Sequence, residues 1–331
     1  MSRVYRVLTF ILLLQFISLP FSIESKAKEN FDEWLLSYKT YALKKGVSQN
    51  TLDIAFKNVK FLEQVIKYDR KQPEFFEDTL TYVVKRSNQS RVNKGKKLLK
   101  SNILLFNDVE KNFDVEKEIL IALWGIETNF GKHVGKMDIV SSLATLSYDK
   151  RRRDFFSSQL LTLLKLIDKN LIDPSDLYGS WAGAYGNFQF MPSTIMNYAI
   201  DYDGNGNIEL KNSLKDSVAS ASNYINKIGW KKDTPCFYRV TLNKKINKKF
   251  INTSARNIKN KLPISKWVEK GVVNFDGSEF RNNLKAALIL PDGKDESPAY
   301  LVFDNYEKIL KWNRSLRFAI SVCTLAKKIK L

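Results

Sequence analysis

Apolar residues recur at helical spacing through most of the chain up to about Ile228, and this periodicity restricts the fold more than any other feature. Phe31, Trp34, Leu35 and Tyr38 repeat at intervals of three and four residues, which places them on one face of an amphipathic helix. The same spacing predicts three further helices. These are a segment with Phe61, Val65 and Tyr68; a segment that begins near Gln72 and Pro73 and carries Phe76, Leu80, Val83 and Val84; and a longer one from about Arg153 to Asn170.

The pattern changes after Trp230. Residues 236–242 alternate in a strand-like way, and a Pro-Asp-Gly turn at 291–293 is typical of the link between two strands, because proline presets φ and glycine tolerates positive φ. Further strands are predicted near Val272, at 286–290 and at 299–303, followed by one last helix from about Tyr306 to Lys330. The predicted fold class is α+β and mainly α, with a helical body, a small antiparallel β insertion and a closing helix.

The N-terminus has the order of a secretory signal peptide. Arg3 and Arg6 precede a short apolar run from Val7 to Phe21, which small and polar residues follow. The run is shorter than the about 20 residues of a membrane span, although an uncleaved anchor is the alternative. The predicted parts of the chain are a signal peptide at 1–27, the helical body at 28–232, an antiparallel β subdomain at 233–304 and a closing C-terminal helix at 305–331.

Charge and cysteine content narrow the class of protein. The formal net charge is +19, from 54 Lys and Arg against 35 Asp and Glu, which favours a polyanionic partner. The basic residues are scattered and the chain is predicted to be exported, so we expect no nucleic-acid partner, and no membrane span in the mature chain. Cys236 and Cys323 are the two cysteines, compatible with one bridge, and we expect them to be two buried thiols.

The stretch from Ile119 to Gly131 is predicted to be a helix in which one acid, Glu127, shares a face with bulky apolar residues. Asp114 is expected to cap its start and Gly131 to end it. Trp124 and Phe130 lie three residues on either side of Glu127, so bulky apolar groups share its face. Desolvation there raises a carboxyl pKa, as a general acid at neutral pH requires. The alternative is that Glu127 is an ordinary exposed helix residue.

Two long motifs resemble the lytic murein transglycosylase B family. They are ALWGIETNFGKHVGKMDIVSSLATLSYD at 122–149 and GSWAGAYGNFQFMPSTIMNYAIDYDGNG at 179–206. The resemblance continues through 217–230 and into PAYLVFDNYEKILKWNRS at 298–315. It implies a lysozyme-like helical core beside a long groove, and non-hydrolytic cleavage of the bond between N-acetylmuramic acid and N-acetylglucosamine that gives 1,6-anhydro ends. The predicted signal peptide makes the periplasm the expected location.

The resemblance places the family's catalytic glutamate on Glu127, which acts first as acid and then as base. Asp138, Asp149 and Asp154 are nearby in sequence, and we interpret them as helix caps or members of salt bridges. The resemblance also assigns residues that bind the substrate, namely Ser180, Gln189, Phe190, Tyr224, the basic pair Arg151 and Arg152, and Tyr82. Three positions depart from the family's usual residues: Tyr185 replaces a common methionine, Trp312 a common tyrosine, and Phe318 a common aromatic hydroxyl.

Residues 201–212 follow the twelve-residue calcium-loop pattern. The last position is Asn212 where a bidentate Glu is usual, so a site here is expected to be weak, with Kd around 10⁻⁴ M or poorer. A metal-free turn is the alternative. The predicted ligands are Asp201, Asp203, Asn205, Asn207 and Asn212.

The leading hypothesis is a peptidoglycan lytic transglycosylase that needs no cofactor for its chemistry, with a weak structural Ca²⁺ as an addition. Its expected partners are peptidoglycan glycan strands, and enzymes of wall synthesis are further candidates. Two alternatives stay open, a hydrolytic muramidase and a non-catalytic wall-binding scaffold. A nucleic-acid-binding protein is a more distant alternative.

Overall fold

The computed structural model describes residues 30–71, 77–294 and 297–330. The predicted signal segment at 1–27, and Gln72, Pro73 and Phe76 of the third predicted helix, lie outside these residues. The described helices up to residue 228 are α1 Phe31–Lys44, α2 Gln49–Ala55, α3 Glu63–Arg70, α4 Thr79–Arg86, α5 Gln89–Ser101, α6 Ile103–Phe113, α7 Lys117–Thr128, α8 Ile139–Tyr148, α9 Arg153–Asp168, α10 Pro192–Tyr198 and α11 Leu214–Lys227.

Side-chain caps account for several helix starts. At α1, Asn30 accepts from the Glu33 N–H at 2.8 Å and the Glu33 carboxylate accepts from the Asn30 N–H at 3.2 Å, which together make a capping box. The carboxylate of Asp138 accepts from the Ser141 N–H at 2.6 Å and starts α8. The helices predicted at Phe31 and Arg153 are present as α1 and α9, and α9 ends two residues early at Asp168.

The start of α7 differs from the prediction. Asp114 has a φ of 56° and ends α6 in the left-handed conformation, so it does not cap α7. The N-cap of α7 is Glu116. Its carboxylate accepts from the indole N–H of Trp230 and from the backbone N–H of Asp233, which ties the start of α7 to the segment that follows α11.

The end of α7 also differs from the prediction. The left-handed turn begins at Asn129, with a φ of 52°, and continues through Phe130 to Gly131, so the helix stops before the glycine predicted to end it. The turn folds Phe130 back over the helix, where an added Cβ on Gly125 would lie 2.7 Å from the Phe130 ring. Glycine at 125 is therefore required by the close approach of this ring.

Two sheets follow the helices in the chain. The small one pairs β1 Met137–Asp138 with β2 Tyr178–Gly179. The larger one contains β3 Phe237–Leu242, β4 Ile251–Asn252, β5 Leu262–Pro263, β6 Val272–Asn274, β7 Lys285–Ile289 and β8 Ala299–Val302, with a short helix, α12 Ile264–Glu269, before β6. Its order is β4-β7-β8-β3-β6, and β5 also pairs with β7.

The larger sheet confirms the strands predicted after Trp230. One detail differs, because β4 and β7 are parallel whereas the other pairs are antiparallel. Trp267 of α12 is fully buried and donates its indole N–H to the Ala286 carbonyl at 2.8 Å. This contact seats α12 against the sheet and contributes to a second apolar cluster apart from the main core.

The single closing helix predicted from Tyr306 is two helices, α13 Asp304–Trp312 and α14 Leu316–Ile329. Ser315 starts α14 by accepting from the Phe318 N–H at 3.2 Å, and the buried Tyr306 hydroxyl donates to the Leu316 carbonyl at 2.8 Å. α14 packs against α4, α5 and α7. The break leaves Trp312 as the last residue of α13, where it faces the end of α7.

The two ends of the β region are bonded to each other. The buried side chain of Asn305 bonds to the backbone N–H and carbonyl of Lys231, at 2.9 and 2.7 Å, and to the Thr234 carbonyl. The Phe303 N–H donates to the Cys236 carbonyl at 2.9 Å. The strand that leaves the helical body and the chain that returns to it therefore lie side by side. The domain boundaries at 232/233 and 304/305 stay predictions.

Cys236 and Cys323 form a disulfide, which corrects the expectation of two free thiols. The bridge joins the start of β3 to α14, although the two residues are 87 positions apart. Sequence spacing does not reveal such a pairing, because it depends on how α14 packs beside the sheet.

In the described ranges, no helix combines the length and apolar character needed to cross a bilayer.

Replacement of both cysteines by serine is expected to lower the free energy of unfolding by about 2–4 kcal/mol, because the bridge restricts a long loop in the unfolded chain. Urea unfolding of the double variant, and of the native chain with and without a reductant, measures this. Identical unfolding midpoints for the native chain in both conditions contradict a disulfide in the folded protein.

Candidate active site

α7 is surrounded by the helical body. Its residues 119–125 are buried, and it packs against α5, α6, α11 and α14. A helix that is apolar on every face is expected in the interior of a protein. Glu127 lies in the last turn of this helix, where it is partly buried. The fold therefore brings one carboxylate from the core to the edge of the body.

Trp312 contacts this carboxylate directly. Its indole N–H donates to Oε1 of Glu127 at 2.8 Å. The indole ring stacks on Tyr224, with centroids 5.1 Å apart and an interplanar angle of 29°, and Tyr224 stacks in turn on Tyr198 at 4.5 Å. Phe190 meets the indole edge-on at 5.3 Å. An aromatic cluster therefore orients the group that bonds to Glu127.

A groove of about 1930 Å³ runs beside this cluster. Trp312, Tyr224, Phe190 and Gln189 are among its lining residues, so Glu127 lies one hydrogen bond from the wall of the groove. Aromatic faces of this kind bind the apolar faces of sugar rings, and the neighbouring polar groups can bond to hydroxyls and amides. The basic lining groups are Lys67, Arg70, Lys71, Arg151, Arg152, Arg256, Lys311, Arg314 and Arg317.

No carboxylate is found among the described residues that line the groove. Two of the three acids near Glu127 in sequence have the structural roles predicted for them. Asp138 caps α8, and Asp149 pairs with Arg70 at 3.0 Å. Burial alone would raise the pKa of Asp149. The hydrogen bonds from Arg70 and from the Arg151 N–H together outweigh this effect, so the pKa lies below its ordinary value. It is therefore ionised at neutral pH and cannot serve as a second acid.

Asn187 fixes the end of α7 against the following loop. Its side-chain oxygen accepts from the Trp124 indole N–H at 3.0 Å, and its amide donates to Ser217 Oγ at 3.1 Å. The Thr128 hydroxyl donates to the Asn187 carbonyl at 2.9 Å and accepts from the Gly131 N–H. Three of these four bonds are buried, where each unmade bond would cost about 1–3 kcal/mol, so the turn that carries Glu127 is held in one position.

The loop at 179–191 presents the predicted binding residues in different ways. Gln189 and Phe190 line the groove, and reciprocal backbone bonds of 2.9 Å between Tyr185 and Phe190 hold them there. Burial raises the pKa of Tyr185 to about 12, so its hydroxyl stays neutral. The Ser180 hydroxyl accepts from the N–H groups of Ala182 and Ala184, which shapes the loop, and Ser180 is not among the residues lining the groove.

Tyr224 and Tyr82 have different surroundings. Burial, with a further contribution from Tyr198, raises the pKa of Tyr224 to about 12, and its hydroxyl donates to the Lys311 carbonyl at 3.2 Å. Tyr224 therefore supports Trp312 and presents its ring to the groove. Tyr82 is 1% exposed, and the guanidinium of Arg86 lies 3.4 Å above its ring. It belongs to the packed interior rather than to the groove lining.

Arg151 and Arg152 belong to a cluster around a buried acid. Asp69 is 1% exposed. It pairs with Arg151 and Arg152, and also with Arg70, whose Nη1 lies 2.7 Å from its carboxylate. Arg151 also donates to the Asp69 carbonyl at 2.6 Å. All three arginines line the groove. Their acidic partners are Asp69 and, for Arg70, also Asp149, so three positive charges are paired with two negative ones. Asp69 holds these cations in place at the groove.

Three carboxylates come together at the predicted calcium loop, and one of them is not among the predicted ligands. The carboxylate oxygens of Asp201, Asp203 and Asp216 lie within 4.8 Å of one another. Asp216 lies beyond the twelve-residue pattern, is fully buried, and accepts from the Tyr202 and Glu209 N–H groups. Converging carboxylates repel one another unless a cation joins them, and hard oxygen donors suit Ca²⁺, so this set fits the ion.

The three asparagines predicted as ligands of that loop lie at its surface. Asn205, Asn207 and Asn212 are exposed. The Asn205 amide oxygen accepts from the Asn207 N–H at 2.8 Å, and Asp201 accepts from the Gly204 and Gly206 N–H groups. The backbone therefore folds tightly around Asp201, as an Asp/Asn/Gly turn does.

Sequence reasoning missed three positions that the structure brings to these sites. Trp312 was noted as a departure from a family pattern, but its bond to Glu127 depends on the break between α13 and α14. Asp69 lies 82 and 83 positions from Arg151 and Arg152, which it pairs with. Asp216 had one available signal, an acid in the first turn of the helix that follows the loop.

Comparison with known proteins places the chain in a family. The model described as "Transglycosylase SLT domain" matches residues 30–327. The chain belongs to the transglycosylase SLT domain family. The family's two long motifs, recognised in the sequence at 122–149 and 179–206, both lie within the matched range.

Relatives of this transglycosylase-domain chain are known in sequence and structure. Membrane-bound lytic murein transglycosylase B of Escherichia coli (strain K12) is 31% identical over 224 residues, which is 66% of this chain and 58% of that protein's length. SltB3 from Pseudomonas aeruginosa, in complex with NAG-NAM-pentapeptide, superposes with a TM-score of 0.82 at 33% identity, covering 91% of this chain and 80% of that one.

A calcium complex of the Escherichia coli lytic transglycosylase Slt35 has a TM-score of 0.75 at 26% identity, over 89% of this chain and 92% of that one. These matches confirm the fold class predicted from the sequence, a mainly helical, lysozyme-like core with a small β part.

Proposed function

We propose that this chain is a peptidoglycan lytic transglycosylase with Glu127 as its acid and base. The observation that carries the proposal is a partly buried carboxylate at the end of a buried helix, bonded to the aromatic wall of a large groove. Its relatives support the substrate class, since SltB3 is known in complex with NAG-NAM-pentapeptide and with NAG-anhNAM-pentapeptide.

In the first step, protonated Glu127 donates its proton to the glycosidic oxygen as the bond from that oxygen to the anomeric carbon of the muramyl ring breaks. The N-acetylglucosamine hydroxyl leaves with this proton. The muramyl 2-acetamido group stabilises the positive charge that develops on the ring, in the manner of substrate-assisted glycosidases. A second carboxylate is not needed for this step, in accord with the absence of one from the described lining of the groove.

In the second step, the Glu127 carboxylate removes the proton of the muramyl 6-hydroxyl. That oxygen forms a bond to the anomeric carbon and gives a 1,6-anhydro ring. Glu127 is protonated again and no water is consumed, so the two steps balance. One group serves as acid and then as base, provided that it stays positioned between the two oxygens, and the Asn187 hydrogen bonds hold its helix end in place.

The basic groups of the groove support the recognition of an anionic polymer. Carboxylates of the stem peptide are the natural partners of the arginines around Asp69, because guanidinium groups bind carboxylates in a bidentate manner. In this proposal Gln189 and Phe190 contact the N-acetyl sugars and Tyr224 supports the wall beside them. Ser180 shapes the loop that carries the two sugar-binding residues, and Tyr82 supports the packing from within.

Calcium is proposed as a weak structural ion at Asp201, Asp203 and Asp216, with the asparagines of the loop as further oxygen donors. The ion would neutralise the converging carboxylates of the loop that leads into α11. The catalytic steps proceed without it. For the cell, we propose export to the periplasm and action on glycan strands there, with enzymes of wall synthesis as candidate partners.

The Glu127→Gln variant is expected to reduce cleavage of purified sacculi by at least about 10³-fold, because the amide neither donates a carboxylic proton nor accepts one. Glu118→Gln, in the first turn of the same helix, is the matched control and is expected to retain activity. Mass spectrometry of the products distinguishes the reactions: anhydro ends are lighter by one water than the reducing ends that a muramidase makes. Unchanged digestion by Glu127→Gln would leave a wall-binding scaffold as the better description.

Arg151→Ala is expected to raise KM for a soluble peptide-bearing muropeptide about tenfold with little change in kcat, since one charge-assisted contact is lost while the chemistry is untouched. Arg153→Ala removes a neighbouring exposed charge that lies outside the main groove lining. An equal rise of KM in both variants points to general charge attraction and contradicts a specific contact at Arg151.

Calcium at 1 mM is expected to raise the free energy of unfolding by about 1.4 kcal/mol if Kd is about 10⁻⁴ M. The change is measured by thermal unfolding after chelation and after calcium is restored. Asp203→Asn is expected to abolish the increase, and Asn212→Ala to reduce it less, because Asp203 belongs to the converging carboxylates. No calcium effect on the native chain contradicts the site.

A further inference from the structure

We infer that Trp312 is a positioning residue for the acid–base group, and that its indole N–H orients the Glu127 carboxyl group and favours its ionised form. The inference rests on the proposed function, because it assumes that Glu127 is the acid and base. It starts from one contact, the 2.8 Å bond from the indole N–H to Oε1 of Glu127. It concerns this chain specifically, since the position is commonly a tyrosine in the family that it resembles.

The indole ring has little freedom to turn away from Glu127. It stacks on Tyr224 at 5.1 Å, and the edges of Phe190 and Phe188 meet it at 5.3 and 6.2 Å. Tyr224 is itself fixed by its stack on Tyr198 and by its bond to the Lys311 carbonyl. The donor is therefore oriented before substrate arrives, which is the condition for an effective electrostatic contact.

An indole N–H donates and cannot accept a hydrogen bond, whereas a tyrosine hydroxyl does both. When Glu127 is protonated, the oxygen without the proton is the better acceptor. The fixed indole therefore acts toward Glu127 only as a donor, and it bonds to Oε1. A tyrosine at 312 would be able to accept from the protonated acid as well.

The same contact affects the pKa of Glu127. A donor that bonds to the charged form stabilises that form and lowers the pKa, so removal of the donor raises it. Cleavage needs the protonated acid, so the rate falls as pH rises through this pKa. Loss of the indole donor is therefore expected to move the alkaline limb of the kcat/KM profile to higher pH.

Other charged and titratable groups around α7 stay the same in the variants. Lys94 of α5 donates to the Asn129 carbonyl at the end of α7, and Glu110 of α6 pairs with Lys117 at its start. Tyr224 of α11 and Lys311 of α13 flank the indole, and Arg317 of α14 pairs with Asp292 at 2.7 Å. A shift in the pH profile of a Trp312 variant is therefore attributable to the lost donor.

The chain supplies a matched control at the other end of the same helix. Trp230 donates its indole N–H to the carboxylate of Glu116, the N-cap of α7. Trp230→Phe and Trp312→Phe thus remove the same kind of bond from the two ends of α7. The control is expected to lower stability and to leave the pH profile as it is.

The experiment measures kcat/KM against pH on a soluble muropeptide for the native chain, Trp312→Phe, Trp312→Tyr and Trp230→Phe, with thermal unfolding of each. We expect Trp312→Phe to move the alkaline limb up by about one pH unit and to lower kcat about tenfold. Trp312→Tyr, which keeps a donor, is expected to recover most of both.

The outcomes separate the two proposals. If Glu127→Gln is inactive while Trp312→Phe keeps the native alkaline limb, the positioning inference is overturned and the proposed function stands. A loss of kcat in Trp312→Phe without a shift of the limb also overturns it, since packing then explains the loss. If Glu127→Gln remains active, the proposed function fails, whatever the Trp312 variants do.

Discussion

The burial of α7 on every side is the constraint on which the rest of the structure depends. A helix in the interior can present a charged side chain to water only near its end, and Glu127 occupies that place in the last turn. The turn at 129–131 and the Asn187 bonds then determine where the carboxylate lies. The aromatic cluster and the groove are arranged around this point, so the position of one acid follows from the packing of the helix behind it.

Local patterns predicted the elements that local forces determine. The apolar periodicity gave the helices at Phe31 and Arg153, and the alternation after Trp230 gave β3. Interactions between distant segments were harder to predict. Asp114 had the composition of an N-cap, but it ends α6, and the N-cap residue of α7 is Glu116, whose side chain bonds to Trp230 and to the Asp233 N–H. The closing helix is interrupted where Ser315 caps α14 by accepting from the Phe318 N–H.

The candidate site shows the same division. Glu127 was found from its apolar neighbours within one turn and from the family motif, and the resemblance also carried Gln189, Phe190 and the arginine pair. Asp69 and Trp312 were not found as site residues, because Arg151 and Arg152 lie 82 and 83 positions from Asp69, and Glu127 lies 185 positions from Trp312. Such contacts arise from tertiary packing alone. The groups that orient functional residues are thus less visible in a single sequence than the functional residues themselves.

The paired ends of the β region have a consequence for how this architecture changes over time. Because Asn305 joins both ends and the Phe303 N–H bonds to the Cys236 carbonyl, the chain leaves and re-enters the helical body at one place, while one face of the sheet packs into the main core and Asp292 bonds to Thr79 and Arg317. The entropy of closing a loop depends weakly on its length, so residues can be gained or lost in the connections between strands that do not touch the helices, whereas a change on the packed face of the sheet disturbs the main core. An ancestral enzyme would therefore have been able to lengthen or trim those connections without rebuilding the chemistry.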